Sequence, residues 1–167
     1  MEITFESLEN KPMREFTEEE RIFVANAYLR HFDTLRPRER LIGYMVVFFG
    51  IPATFIGDLS IDFRMREVLH ISIIFKDRFG LVLLDIPNDL KPMVSDYLET
   101  DERIVNCITH LANGENASMS LFAPKINGKG ERLHDCRTFL WNAGKAIGFN
   151  AKRVILHKLL NHKLKLV

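Results

Sequence analysis

Positive charge is concentrated near the end of the printed chain, where it could bind phosphate groups. Residues 125–167 contain 10 Lys/Arg against 2 Asp/Glu, whereas residues 1–124 contain 13 against 20. Because phosphate contacts dominate the affinity of proteins for nucleic acids, this asymmetry favours DNA as a partner. The alternative is a basic helix face that complements the acidic remainder or binds an acidic protein. The candidate DNA contacts are Lys125, Lys129, Arg132, Arg137, Lys145, Lys152, Arg153 and Lys158.

Several short motifs occur in a fixed order along the chain. Residues 133–137 read Leu-His-Asp-Cys-Arg, and residues 159–162 read Leu-Leu-Asn-His. Earlier, Gly50 ends an apolar stretch, and residues 75–78 read Phe-Lys-Asp-Arg between two strand-like segments. The order of these segments resembles that of the tyrosine recombinase (phage integrase) family, with its hairpin lysine, His-x-x-Arg box and Leu-Leu-Gly-His box. The resemblance covers roughly residues 16–162.

Family membership would imply DNA cleavage by a tyrosine that attacks the scissile phosphate. By position, Lys76 is similar to the lysine that protonates the leaving oxygen, and His134, Arg137 and His162 are similar to the residues that stabilise the phosphate charge. Rigid cations beside a phosphate lower the barrier because charge on its oxygens limits the reaction. Each residue also has an ordinary interpretation: a solvated hairpin lysine, a surface arginine, or core and capping histidines.

Two departures from the family pattern argue against cleavage by this chain alone. Pro52 stands where the family has its first arginine, and proline can neither carry charge nor donate a hydrogen bond. The nucleophile should follow His162, but the printed chain ends at Val167 without a tyrosine there. Its three tyrosines occur in apolar helical patterns instead. Without a nucleophile no covalent intermediate can form.

Three functions therefore remain open. The first is a non-catalytic DNA-binding protein that binds double-stranded DNA, such as a transcriptional regulator or accessory factor of a mobile element or plasmid. The second is a truncated or composite site-specific recombinase that takes its tyrosine from another chain. The third is a protein-interaction module that has lost DNA binding. Besides DNA, the partners left open are a second copy of the chain and another protein.

Composition sets further expectations. The 167 residues and 47% hydrophobic content are typical of a globular domain with a core. The acidic start lacks the pattern of a signal peptide, and the most apolar stretch, residues 41–56, is too short for a membrane helix, so we expect a cytoplasmic protein. We expect no cofactor. The spacings of His134, Cys136, His157 and His162 match no standard zinc pattern.

The periodicity predicts an α+β fold. It is a mostly helical, tyrosine-recombinase-like catalytic domain with a small antiparallel β-hairpin or sheet, preceded by an extension over residues 1–15. Thr17 begins a helix with a capping box, and Pro37 begins another. Alternation around residues 68–75 and 81–86 predicts the hairpin. Asn88 is expected to cap a later helix. Two basic helices are predicted at the end, one stopped by Gly148 and one over about residues 150–160.

Overall fold

The computed structural model describes residues 2–56, 59–62, 72–77, 80–84, 88–115, 121–122, 136–149 and 154–160. They belong to two compact units. The first unit draws on Met1–Ala53 and Asp135–Lys163, and the second on Thr54–His134 and Leu164–Val167. The helices are α1 (Phe5–Glu9), α2 (Glu18–Phe32), α3 (Pro37–Val47), α4 (Ala53–Ile56), α5 (Lys91–Thr100), α6 (Glu102–Ala112) and α7 (Cys136–Ala146), with 3-10 turns at Met13–Glu15 and Leu156–Lys158.

The start of α2 is fixed by side chains close to it in sequence. The Thr17 hydroxyl accepts the backbone N–H of Glu20 at 3.1 Å, and the Glu20 carboxylate accepts the backbone N–H of Thr17 at 2.9 Å. Both bonds satisfy N–H groups that have no partner inside a helix. The Lys11 ammonium adds a 2.8 Å ion pair to the same carboxylate. The predicted capping box is therefore confirmed, and Pro37 also lies in the first turn of α3 as predicted.

Two glycines let the helices of the first unit pack closely around α2. A Cβ at Gly43 of α3 would overlap the Phe32 ring, which is fully buried. A Cβ at Gly144 of α7 would lie 2.8 Å from the Tyr28 hydroxyl. The Phe32 ring also stacks on Phe139 of α7 at a centroid distance of 5.8 Å. These contacts seat α3 and α7 against α2.

The N-terminal residues are part of the first unit. Leu8 is fully buried, and the Phe5 ring lies 5.1 Å from the ring of Phe23 and 5.1 Å from that of Phe149. Residues 1–15, which the sequence suggests as an extension, thus contribute an anchored helix. The division of the chain into an extension and one domain stays a prediction.

The second unit has a helical core around Tyr97. This residue of α5 is fully buried, and its hydroxyl donates a 2.6 Å hydrogen bond to the carbonyl of Leu121. The Leu121 N–H in turn donates to the carbonyl of Leu59 at 2.9 Å. Helix α6 follows α5 directly, and the Asp101 carboxylate caps it by accepting the N–H groups of Arg103 and Ile104.

Three short strands of the second unit are described by their backbone. They are β1 (Ser60–Asp62), β2 (Ser72–Asp77) and β3 (Gly80–Leu84). Strand β2 pairs antiparallel with both others, with Ile74 opposite Ser60 on one side and Leu83 on the other. Sequence alternation predicted a hairpin in this part of the chain but did not predict β1.

The predicted α+β class is corrected. Among the residues whose side chains the structure describes, 67% are helical and none lies in a strand. The packing that defines the fold there is helix against helix, as in the contacts of α2 with α3 and α7. The alternation predicted strands, but alternation within a segment does not show whether those strands form a layer of the core. Where the side chains are described, the fold is a helical one.

Two local predictions are also wrong. Asn88 does not cap α5: the helix begins after Leu90, which makes no side-chain cap. The second basic helix is wrong over residues 154–160, where Val154 and Ile155 precede a single 3-10 turn. There the Ile155 N–H donates to the Met13 sulfur at 3.2 Å, a contact with a distant part of the chain that replaces a helical bond.

None of the described helices combines the length and apolar character required to cross a membrane. The longest of them, α2, has 15 residues and carries charge at both ends.

Candidate nucleic-acid interface

Helix α7 has one face in the core and one face open to solvent. Leu140, Ala143 and Gly144 are buried within the first unit. The opposite side presents Thr138, Trp141, Asn142 and Lys145, all of them exposed. We call this set of four residues the outer face of α7. Since helix neighbours three and four residues apart lie side by side, the four side chains form one continuous surface.

Trp141 is the most unusual residue of the outer face. Its side chain is 60% exposed, the highest value among the exposed large hydrophobic residues that the structure describes. The Lys145 ammonium lies 3.6 Å from the centroid of the indole ring. Such a pair is held by attraction between the cation and the negative face of the ring. The ring is neutral, so the charge of Lys145 is positioned but not cancelled.

Arg137 lies on the same side of α7 by its position in the backbone. Arg137, Trp141 and Lys145 follow one another at intervals of four residues, slightly more than one helical turn. The sequence of α7 contains no aspartate or glutamate. Two cationic positions with an aromatic one between them therefore mark this side of the helix.

The 3-10 turn Leu156–Lys158 contains another of the predicted DNA contacts, Lys158. Lys158 is exposed there, as a phosphate contact must be. Its neighbour His157 is half-buried, and burial, with the Lys158 charge as a second cause, lowers the pKa of the imidazole below its usual value. His157 is therefore neutral near pH 7. The positive charge of this turn comes from Lys158.

The remaining predicted site residues are only partly described. Lys76 lies within β2 opposite Leu81 rather than in the loop of the hairpin, and it belongs to the second unit. His134 and His162 lie outside the described residues. The same holds for the predicted DNA contacts Lys125, Lys129, Arg132, Lys152 and Arg153. The family resemblance implies that Lys76, His134, Arg137 and His162 share one pocket, and this stays a prediction.

All three tyrosines of the chain are engaged in packing. Tyr97 is fully buried and hydrogen-bonded to Leu121. The Tyr44 hydroxyl donates to Asp33 at 2.7 Å, and burial followed by this bond raises its pKa to about 12. Burial alone raises the pKa of Tyr28 to about 12. A tyrosine nucleophile needs an accessible and easily deprotonated hydroxyl, and these environments act in the opposite direction.

Pro52 lies in the connection between α3 and α4, two residues after Gly50. Gly50 adopts a φ of 73°, in the left-handed region where glycine is favoured, and the chain leaves α3 there. The segment places an uncharged, half-buried proline where the family resemblance called for an arginine. No group of three or more potential metal ligands occurs among the described residues.

Sequence reasoning missed Trp141, Thr138 and Asn142 as candidate site residues. It classified the helix by its charge and its apolar spacing alone. The signal that could have identified Trp141 is its position four residues from both Arg137 and Lys145, outside the apolar stripe formed by Phe139, Leu140 and Ala143.

Compared with family models, curated proteins and solved structures, the chain matches none of them. The resemblance to tyrosine recombinases therefore stays a prediction.

Proposed function

We propose that this chain is a cytoplasmic DNA-binding protein that does not cut DNA by itself and that serves as a transcriptional regulator or accessory factor of a mobile element or plasmid. The observation that carries the proposal is the outer face of α7, which lies within the basic residues 125–167. It presents a solvent-exposed Lys145 beside the exposed indole of Trp141, on a helix without carboxylates. The resemblance of residues 133–137 and 159–162 to the tyrosine recombinase boxes is a second reason for proposing DNA binding.

Phosphate binding by this surface has a direct physical basis. Exposed lysine and arginine side chains displace counterions from the DNA backbone, and the released ions drive association. Residues 125–167 carry 10 Lys/Arg against 2 Asp/Glu, so the sequence that contains α7 is basic as a whole. The tyrosine environments support the non-catalytic part, because none of the three hydroxyls is both exposed and acidic.

The test is a titration of labelled duplex DNA with the full chain at several salt concentrations, followed by fluorescence anisotropy. We expect binding that weakens steeply with salt, because each phosphate contact contributes about −0.9 to the slope of log K against log salt. A second sample with a nicked suicide substrate should give no covalent adduct. Absence of salt-sensitive binding at micromolar protein would remove the proposal, and an adduct would remove its non-catalytic part.

A second candidate, a protein-interaction module, is favoured by the same exposed Trp141 and by Ile155, which is 43% exposed. Tryptophan is enriched at the centres of protein interfaces. Such a module would keep its function when the charge of Lys145 is reversed, whereas DNA binding would be weakened. Lys145→Glu therefore separates the two candidates.

A further inference from the structure

We infer that Trp141 is a stacking site for an unpaired base, so that this protein prefers DNA containing a bulged or single-stranded nucleotide over a fully paired duplex. The inference rests on the proposed DNA-binding function and names the form of DNA that the outer face of α7 selects.

The exposure of the indole carries the first step. An exposed indole has a wide apolar surface in water, and a base has a flat face of similar chemistry. In a paired duplex, both faces of each internal base are covered by its neighbours. An unpaired base presents a free face, and stacking on an aromatic side chain is the usual way in which proteins bind such bases.

The position of Lys145 carries the second step. Its ammonium occupies the ring face of Trp141 at 3.6 Å in the free protein. An exposed pair of this type is weak, and the lysine has a flexible four-carbon stem. When a base arrives, the ammonium can leave the ring for the adjacent phosphate while the base takes its place on the indole. One nucleotide thus supplies partners for both residues.

The neighbours of the indole favour nucleic acid over a protein surface. Thr138, Asn142 and Lys145 surround Trp141 with polar and cationic groups. The centre of a protein interface is depleted in charged residues, whereas single-strand binding sites combine positive charge with aromatic rings. The hydroxyl of Thr138 and the amide of Asn142 can hydrogen-bond to a base edge or a phosphate.

The chain offers a direct probe of this site, because Trp141 is its one tryptophan. The intrinsic indole fluorescence of the unmodified full chain therefore reports on the outer face of α7 alone. Three DNAs of one sequence serve as ligands: a paired duplex, the same duplex with a single unpaired thymine at its centre, and the single strand. Affinity is measured in parallel by anisotropy of a label on the DNA.

We expect the bulged duplex to bind about 10-fold more tightly than the paired one, from the stacking of one base. The bulged duplex and the single strand should both quench the indole emission, and the paired duplex should leave it nearly unchanged. Trp141→Ala should reduce the affinity for the bulged duplex to that for the paired duplex, and Trp141→Phe should fall between. Ile22→Ala, at an exposed apolar position of α2, is the control that should retain the preference.

Failure of the inference is distinguishable from failure of the proposed function. Equal affinity for paired and bulged duplexes, or equal quenching by both, overturns the stacking site while DNA binding stands. No binding of any of the three DNAs removes the proposed function and the stacking site together. Because the fluorescence titrations use the unmodified chain, these outcomes do not depend on the folding of a variant.

Discussion

Two lysines of the first unit show how differently the same side chain can be used. Lys11 donates to Glu20 at 2.8 Å, next to the capping box that begins α2. Lys145 lies over the neutral ring of Trp141 at 3.6 Å, on a helix without acidic residues. The first ammonium is paired with a carboxylate and supports the fold. The second keeps its charge toward solvent, where a phosphate can bind it.

The comparison teaches that net charge by itself does not locate a binding surface. Opposite charges largely balance along the 167 residues of the chain, which has a formal net charge of +1. What distinguishes Lys145 is its partner. A carboxylate lowers the free energy of the folded state by pairing with a cation, whereas an aromatic ring orients the cation and leaves its charge available.

The largest effect should come from a substitution at the contact between α7 and α2, because this contact positions the helix that carries Lys145. Gly144→Ala places a Cβ 2.8 Å from the Tyr28 hydroxyl. We expect it to lower the free energy of unfolding by about 1–3 kcal/mol, because overpacking a closed interface forces side chains or backbone to shift. Urea unfolding of the variant measures the effect.

Tyr28→Phe provides the matched control for this prediction. Removing the hydroxyl relieves the closest contact, so the cost of Gly144→Ala should be smaller in the Tyr28→Phe background. An unchanged cost would mean that the hydroxyl does not limit the approach of the two helices.

A smaller effect should separate the two lysines directly. Lys145→Gln should weaken binding to paired duplex DNA and make the slope of log K against log salt less steep by about 0.9, the contribution of one phosphate contact. Lys11→Gln removes an equal charge from the same unit but should leave the slope unchanged. Anisotropy titrations over a range of salt measure both. Equal effects of the two variants would contradict the distinction and point to net charge alone.

The smallest effect concerns the pH dependence of the Lys11–Glu20 pair. The hydrogen bond from Lys11, followed by that from the Thr17 backbone, lowers the pKa of Glu20 below its usual value of 4.5. Because the pKa of Glu20 is lowered in the folded state, the ionised Glu20 carboxylate stabilises the fold above pH 4.5. This stabilisation is lost as the pH falls through the lowered pKa. Glu20→Gln should cost less than about 1 kcal/mol at pH 7, since the pair is partly exposed.

Urea unfolding midpoints of the chain and of Glu20→Gln between pH 7 and pH 3 test this prediction. The difference between the two proteins should shrink toward acidic pH. A difference that stays constant would show that the glutamate acts through packing rather than through its charge.

Several elements could be read from the sequence because their causes are local. The Thr17 capping box depends only on Thr17 and on the residue three positions later. The ring of Pro37 favours the first turn of α3, and Gly148 allows the chain to leave α7 with a φ of 78°. These interactions form within one turn of chain, so a short window contains all the information. The basic character of residues 125–167 is likewise a property of the sequence alone.

The sequence by itself thus determined where α2, α3 and α7 begin or end, and where positive charge collects. Only the tertiary structure decided that Ile155 bonds to Met13 instead of continuing a helix, and that α2 lies close enough to α7 to require Gly144. Each of these outcomes depends on which distant segment covers a given face, and residue spacing within one helix carries no information about that partner.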